Sequence, residues 1–465
     1  MFELDVKVIT RELSFENFKS HFTKPLIYYM VNKNDDMSFF ITYVLVDFNN
    51  NKMTYIYSYS NSNKRILDMQ DEIERYHMSK CPHNSIQVKE NESFLTFNED
   101  EKFFTFINYV EKKMYVCTMK DLIPESEIKF EKISHTFYKD DTDASYFYLS
   151  AVDTEQILHI YRISLDLKDI TEVNSFEGKP IPPHVLRNHK DYFFLSDEFR
   201  YSQFELTKKN KIVTQDELSR MYFKLSIKLN VGREVPMSFR EERAALYQEM
   251  RRKYGIKCMQ GRIMMINRKT NEQTYYNTTG GSPAHFEIDS QQNCVYTSAH
   301  NFFGVKDGVI YFEPAIIDKF EIVEDKLVHK GAFSYEKGYR YTSHKIFSVD
   351  GKTYICTFGQ PNRLIFADAD TMELLFYEDI GEDELSSQDD VSLYINSCGN
   401  NTEIIAIEVS PDNRLIVFVD GTYLYLYDFE KRQICKKVSH GFDTGKDGIN
   451  MEDFKIRTVH FNYLS

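Results

Sequence analysis

The chain contains no tryptophan, so no repeat built on a Trp-Asp pair can run through it. Its seven cysteines (Cys81, Cys117, Cys258, Cys294, Cys356, Cys398 and Cys435) are widely spaced with no CxxC pair. That excludes a zinc ribbon or a disulfide framework, and the cysteines read as reduced thiols, several of them in strands. Only 18 Gly and 11 Pro occur in 465 residues, too few for a low-complexity chain. No apolar run approaches the roughly 20 residues of a membrane span. The first residues, MFELDVKVITRELSFENF, carry charges where a signal peptide needs an apolar centre. Positive charge is also short: 57 Lys and Arg against 71 Asp and Glu leave a net charge of −14, which excludes general nucleic-acid binding. The expectation is a soluble cytoplasmic protein with no nucleic-acid partner and no membrane span. GxSxG, GxGxxG and Walker patterns are absent as well, so neither a nucleophilic serine elbow nor a phosphate loop is indicated.

Aromatic residues are plentiful, with 37 Phe and 32 Tyr. They fall in strand-like runs of four to eight residues separated by Asp, Asn, Gly and Lys turns, which predicts an all-β chain. FFITYVLVDFNNNKMTYIYSYS reads as two antiparallel strands around Asn49-Asn50-Asn51. RLIFADADTMELLFYEDI and TYLYLYDFEKRQICKKV repeat that plan. Each is expected to be the outer half of a four-stranded unit.

The inner halves are marked by histidine. His83, His135, His184, His285 and His344 each precede a strand whose partner begins eight to eleven residues later, and His460 is expected to start the last strand. His285, His344 and Ala406 align without a gap across SPAHFEIDSQQNCVYTSA, TSHKIFSVDGKTYICTF and IIAIEVSPDNRLIVFVDG. Repeats of this kind predict one domain over residues 1–465, a seven-bladed β-propeller closed by pairing of the C-terminal strand with the N-terminal blade. Eight blades follow if MYFKLSIKLN is an inner strand. A helical insertion is expected at 208–257, where Ser238 and Glu241 form a capping box and Gly255 suits a helix end. A second helix is expected from Arg65 to Tyr76.

Inner strands of a propeller line one channel, so their histidines can converge. The candidate metal ligands are His135, His184, His285, His344 and His460, with one transition-metal ion as the implied cofactor. Glu287 lies two residues after His285, and Glu408 occupies the same place after Ala406. Both are candidate catalytic carboxylates, as orienting partners of a ligand or as general bases. The stretch HVLRNHKDYFFLSD, from His184 to Asp197, resembles the inner-strand signature of carotenoid cleavage oxygenases. That resemblance implies Fe(II) held by His184, His285, His344 and His135 or His460, with O2 at an open position. The family's His-Pro-Lys run is absent.

Three functions stay open at the level of sequence. One is a metal-dependent oxidoreductase acting on a small organic substrate, with Cu or Zn, and lyase, isomerase or cyclase chemistry, as variants. Another is a non-enzymatic propeller that binds a protein partner. The third is a metal-free, lactonase-like propeller. Tyr275, Tyr276, Ser298 and Asn301 lie near loops that could contact a ligand. IGEDELSSQDD, from Ile380 to Asp390, lacks calcium-loop spacing and reads as a solvated acidic loop. Arg240, Arg243, Arg251 and Arg252 form the one basic cluster.

Overall fold

In the computed structural model the described residues are 2–5, 7–12, 26–33, 39–47, 52–59, 85–88, 93–97, 104–108, 111–124, 126–133, 138–140, 142–177, 186–196, 203–214, 252–258, 261–279, 282–300, 303–306, 309–312, 316–335, 344–359, 363–380, 406–410, 412–419, 423–439, 443–444, 449–450 and 455–461, with single positions at 217, 220, 221, 224, 225, 227, 228, 231 and 249. They form an all-β structure with little helix. Seven of its sheets have four or five strands, and five of these follow chain order.

The clearest four run strand by strand. Leu186–His189, Tyr192–Ser196, Arg262–Asn267 and Gln273–Asn277 make one. Ser282–Asp289, Cys294–His300, Ile316–Val323 and Lys326–Ser334 make the next. His344–Val349, Lys352–Gly359, Arg363–Asp368 and Leu374–Asp379 follow, then Ala406–Val409, Leu415–Val419, Tyr423–Asp428 and Gln433–Ser439. The predicted outer hairpins are therefore the third and fourth strands of their sheets. In the N-terminal sheet the last strand of the chain, Lys455–Phe461, pairs antiparallel with Leu26–Lys33, with Ile27 opposite His460.

Local chemistry explains the hairpins. Val349 pairs with Lys352 around Asp350-Gly351, both at positive φ (50° and 77°), the two-residue turn that Asp-Gly favours. Acidic turns are structural: the side-chain oxygen of Asp289 accepts the backbone N–H groups of Gln291 and Gln292, and Asp368 does the same for Asp370 and Thr371.

Neighbouring sheets pack face to face through aromatic and aliphatic side chains. Phe193, Phe194 and Met264 join Tyr148 and Ile160 on one side and Phe286, Val295 and Phe320 on the other. Tyr296, Ile317 and Phe333 meet Ile355, Ile365 and Ala367, while Phe358 and Phe366 meet Ile407, Ile416 and Phe418. With no Trp in the chain, tyrosines fill the largest sites, and each finds a partner for its hydroxyl. Tyr148 donates to Asp140 at 2.9 Å, Tyr296 to the Ala369 carbonyl at 3.4 Å and Tyr427 to Glu378 at 3.1 Å.

Between Ser196 and Arg262 the chain adds a three-stranded sheet in the order Lys211–Thr214, Gln203–Leu206, Ile256–Cys258. MYFKLSIKLN is not a strand there: Met221, Lys224, Leu225, Ile227 and Lys228 are helical. The alternation of FKLSIKL suggests a strand, but Thr214 and Glu217 stand at capping-box spacing ahead of it. Leu225 is buried and Met221, one turn earlier, half-buried, while Lys224, Ile227 and Lys228 face solvent, so one helical face packs inward. The helix expected at Arg65 to Tyr76 and most of the one at Ser238 to Gly255 lie outside the described residues, though Glu249 and Arg252 to Tyr254 are helical. Among the described residues no helix is long and apolar enough to cross a membrane. Cys117, Cys294, Cys356 and Cys435 are free thiols.

Candidate functional site

Three first strands share one register. His285 stands opposite Ser298, His344 opposite Thr357 and Ala406 opposite Val419, which bears out the gapless alignment. Residues opposite each other in an antiparallel pair point to the same face, as do residues two apart. His285, Glu287, Tyr296 and Ser298 therefore share a face, and the Tyr296 hydroxyl turns it toward the sheet that holds Ala369. On that sheet His344, Ile346, Ile355 and Thr357 share the opposing face, since Ile355 and Ile346 pack against the Tyr296 cluster. The two histidines thus lie on the faces that meet between neighbouring sheets.

His344 is 1% exposed, and neither ring nitrogen makes a well-formed hydrogen bond among the described residues. Burial pushes its pKa down to about 4. The Glu287 charge and the Tyr296 backbone pull the other way, and Lys345 and Arg187 reinforce the fall. The imidazole is neutral at physiological pH, with one nitrogen a donor and the other an acceptor. The Ser298 hydroxyl is likewise fully buried without a partner.

Beside the histidines runs a line of alternating charge from four successive sheets. Arg187, on Leu186–His189, donates from Nε to the Phe286 carbonyl at 3.1 Å and places Nη2 3.5 Å from Glu287 Oε2. Lys345 Nζ stands 3.1 Å from Glu287 Oε1 and 3.3 Å from Glu408 Oε2. Glu408 Oε1 also accepts the Val409 N–H at 3.1 Å. Burial raises the Glu287 carboxyl, but Lys345, Arg187 and His344 outweigh it, so its pKa lies below the ordinary range. Burial opposes the charge on Lys345, but the two carboxylates hold its pKa above its usual value. Glu408 goes the other way: burial, helped by Glu287, lifts it to about 7 against the pull of Lys345 and the Val409 N–H.

Of the residues singled out by sequence, Glu287 and Glu408 come together through Lys345, and His285 and His344 share one interface. His135 and His184 lie outside the described residues. His460 does not start its strand: it lies near the end of Lys455–Phe461, whose start is set by pairing with Leu26–Lys33. Tyr275 and Tyr276 sit on an outer strand, away from this cluster, and Asn301 and most of the acidic loop from Ile380 lie outside the described residues. Of the basic cluster, Arg252 is exposed and ion-paired with Glu249 at 2.7 Å. Among the described residues no three His, Cys, Asp or Glu side chains are grouped to hold a metal ion.

Sequence reasoning missed Lys345 and Arg187. The signal for Lys345 was present: the aligned units have Phe286 and Ile407 at its position, so a charge there interrupts an apolar site.

No protein-family model and no curated protein matches the chain. Many solved structures are similar to it, among them the following three. One is dihydro-heme d1 dehydrogenase NirN in complex with DHE, at 9% identity, covering 97% of this chain and 79% of that one, with a TM-score of 0.44. Sqt1 of Saccharomyces cerevisiae has 8% identity, 78% and 76% coverage and a TM-score of 0.41. Apo AztD from Citrobacter koseri has 8% identity, 94% and 98% coverage and a TM-score of 0.42. Similarity at this level carries no argument about the site. These comparisons do not confirm the resemblance to carotenoid cleavage oxygenases; in its stretch Leu186–His189 pairs with Tyr192–Ser196.

Proposed function

We propose that the seven larger sheets are the blades of a propeller closed by Lys455–Phe461, and that its function is to bind and turn over a small polar molecule at the inner strands. The observation that carries this reading is the ammonium of Lys345 between Glu287 and Glu408, on three neighbouring first strands, beside the open imidazole of His344. A buried ion cluster costs desolvation that packing alone does not require. Buried polar atoms without partners call for a water, ion or ligand. Glu408 would act as the proton-transfer group, because its pKa of about 7 allows both loss and gain of a proton near neutrality. Lys345 would hold the ligand's charge and Glu287 would fix Lys345.

The test is retention of small molecules. The chain is incubated with a mixture of polar metabolites, separated by gel filtration, denatured and read by mass spectrometry, beside Lys345→Met and His344→Leu. A compound held by the wild type and lost from both folded variants supports the reading. Equal retention by all three contradicts it.

The histidines support a second reading, a metal-dependent oxidoreductase. His344 is neutral, as a metal ligand must be, and His285 lies on the facing sheet. Fe(II), Cu or Zn would be held by these two with His135, His184 or His460, and would supply O2 activation or Lewis-acid polarisation. The Lys345 ammonium weighs against Glu287 as a direct ligand, because it already occupies that carboxylate.

A further inference from the structure

Charge is divided unevenly along the chain. Residues 208–257 hold 13 Lys and Arg against 6 Asp and Glu, a net charge of +7, although the whole chain sums to −14, so the remainder carries −21. A reversal of sign confined to one insertion marks a surface for an anionic partner. Three parts of the insertion bring the cations together. The turn after Gln203–Leu206 packs on the helix end at Tyr254, where the Thr207 N–H donates to the Gly255 carbonyl at 2.8 Å and Lys208 Nζ to the Arg252 carbonyl at 2.7 Å. Lys209 and Lys253 lie over the Tyr254 ring, 5.0 and 5.3 Å from its centre. Lys211 Nζ stands 3.1 Å from Glu217, which ties this hairpin to the helix through Met221 and Leu225. On that helix Arg220, Lys224, Ile227, Lys228 and Val231 follow at i, i+4, i+7, i+8 and i+11, so they share one face, and all five are exposed. The Val231 N–H extends the turn by donating to the Ile227 carbonyl at 3.1 Å. Among the described residues no carboxylate pairs with Arg220, Lys224 or Lys228. Ile227 and Val231 are 51% and 73% exposed, one turn apart, and Ile212 beside Lys211 is 52% exposed.

We propose that this face docks on the surface of a bilayer that contains anionic lipid. The headgroup phosphates and carboxylates take the ammonium and guanidinium groups, and Ile227 and Val231 enter the apolar layer beneath them. Lysine suits that boundary, because its apolar stem lies along the hydrocarbon while its ammonium stays among the headgroups. The mixture of cations with exposed β-branched side chains decides for lipid over other polyanions. A nucleic-acid backbone gives Ile227 and Val231 no apolar layer to enter. A bilayer presents charge and hydrocarbon together over a plane, so the helix face and the turn at Lys208 and Lys209 can engage it at once. The acidic remainder is repelled by the same surface, which holds the chain with its insertion toward the lipid. No membrane span is needed, and the inner-strand site plays no part in the proposal.

The test is co-flotation of the full chain with vesicles of phosphatidylcholine alone and of phosphatidylcholine with about one-third phosphatidylserine, a composition that gives the cytoplasmic leaflet's sign of charge. Binding is expected to the second and not the first, and to fall between about 0.1 M and about 1 M salt as the screening length shrinks from about 10 to about 3 Å. Each cation near the surface contributes about fivefold in affinity, so a variant with Arg220→Gln, Lys224→Gln and Lys228→Gln should bind about 100-fold more weakly. A variant with Ile227→Ser and Val231→Ser should lose about tenfold or more. Circular dichroism checks each fold, and a variant with Lys209→Gln and Lys253→Gln, expected to lose about 25-fold, carries the charge test if the first does not fold. Equal binding to both kinds of vesicle, binding to neither, or undiminished binding by any of the folded variants overturns the proposal. So does binding to poly-glutamate, to a DNA duplex or, in gel filtration, to a second copy of the chain without binding to the vesicles.

Discussion

Lys345 and Glu408 reach each other from neighbouring first strands, Nζ to Oε2 at 3.3 Å, at a place where Glu408 is only 3% exposed. One lysine serves two carboxylates there, and the more deeply buried of them, Glu408, is the one whose pKa rises.

That rise has a defined effect on stability. The folded pKa of Glu408, about 7, lies above the ordinary 4.5, so between those values the folded state binds the extra proton. Its contribution is full below pH 4.5 and is lost as pH rises to 7 and beyond. Glu408→Gln removes this dependence. Its stability relative to wild type should climb by a few kcal/mol between pH 5 and pH 8 in urea titrations. A constant difference over that range would show that Glu408 does not titrate there.

Lys345→Met leaves two carboxylates without their shared cation. At pH 8 it should cost about 3 kcal/mol, toward the lower end for a broken buried pair because the Lys345 side chain is 15% exposed. Adding Glu408→Gln should return part of that loss. If the two losses simply add in a double-mutant cycle, the pair is not coupled.

His344 titrates in the opposite sense. Its folded pKa of about 4 lies below the ordinary 6.5, so the unfolded chain binds the proton first, and its contribution fades as pH falls through 6.5 toward 4. His344→Leu removes two open polar atoms and should be within about 1 kcal/mol of wild type at pH 7 and more stable than it at pH 5. A loss of several kcal/mol at pH 7 would mean that the ring makes contacts essential to the fold.

The metal reading makes its own demand. Protein purified without an affinity tag should hold near one equivalent of a transition metal, lost from both His285→Ala and His344→Ala. Stoichiometric metal in both variants would remove those histidines from any metal site.

Asp140 marks a structural use of buried charge. It accepts from the Thr142 N–H and hydroxyl, the Tyr148 hydroxyl, Arg162 Nε and Asn188 Nδ2, at 2.6 to 3.1 Å. Burial raises its pKa, but these bonds together bring it down to about 2. Its stabilisation is therefore present above pH 3.8 and lost as pH falls through 2. Asp140→Ala should cost about 3–5 kcal/mol in urea unfolding at pH 7. A cost below 1 kcal/mol would contradict this network.

Much of the fold was legible because strand periodicity and turn chemistry are local. The hairpins on either side of Asp350-Gly351, and the alignment of His285, His344 and Ala406, follow from alternation and spacing. The helix through Met221 and Leu225 was missed because its alternation imitates a strand, and packing of one face decided the matter. At the site, Glu287 and Glu408 were visible as paired positions in repeats. Lys345 and Arg187 were not, because a cation on an inner strand has meaning only once neighbouring sheets bring carboxylates to it. His460 shows the same limit, since its place along the strand is set by pairing with residues more than 400 positions away.

The most direct measurement is an experimental density map of the inner strands at a resolution that shows ordered water and ions. The expected map shows a non-protein species against at least one ring nitrogen of His344, with Lys345 between Glu287 and Glu408. A map in which protein groups satisfy both nitrogens of His344, with Lys345 turned away from Glu408, would contradict it.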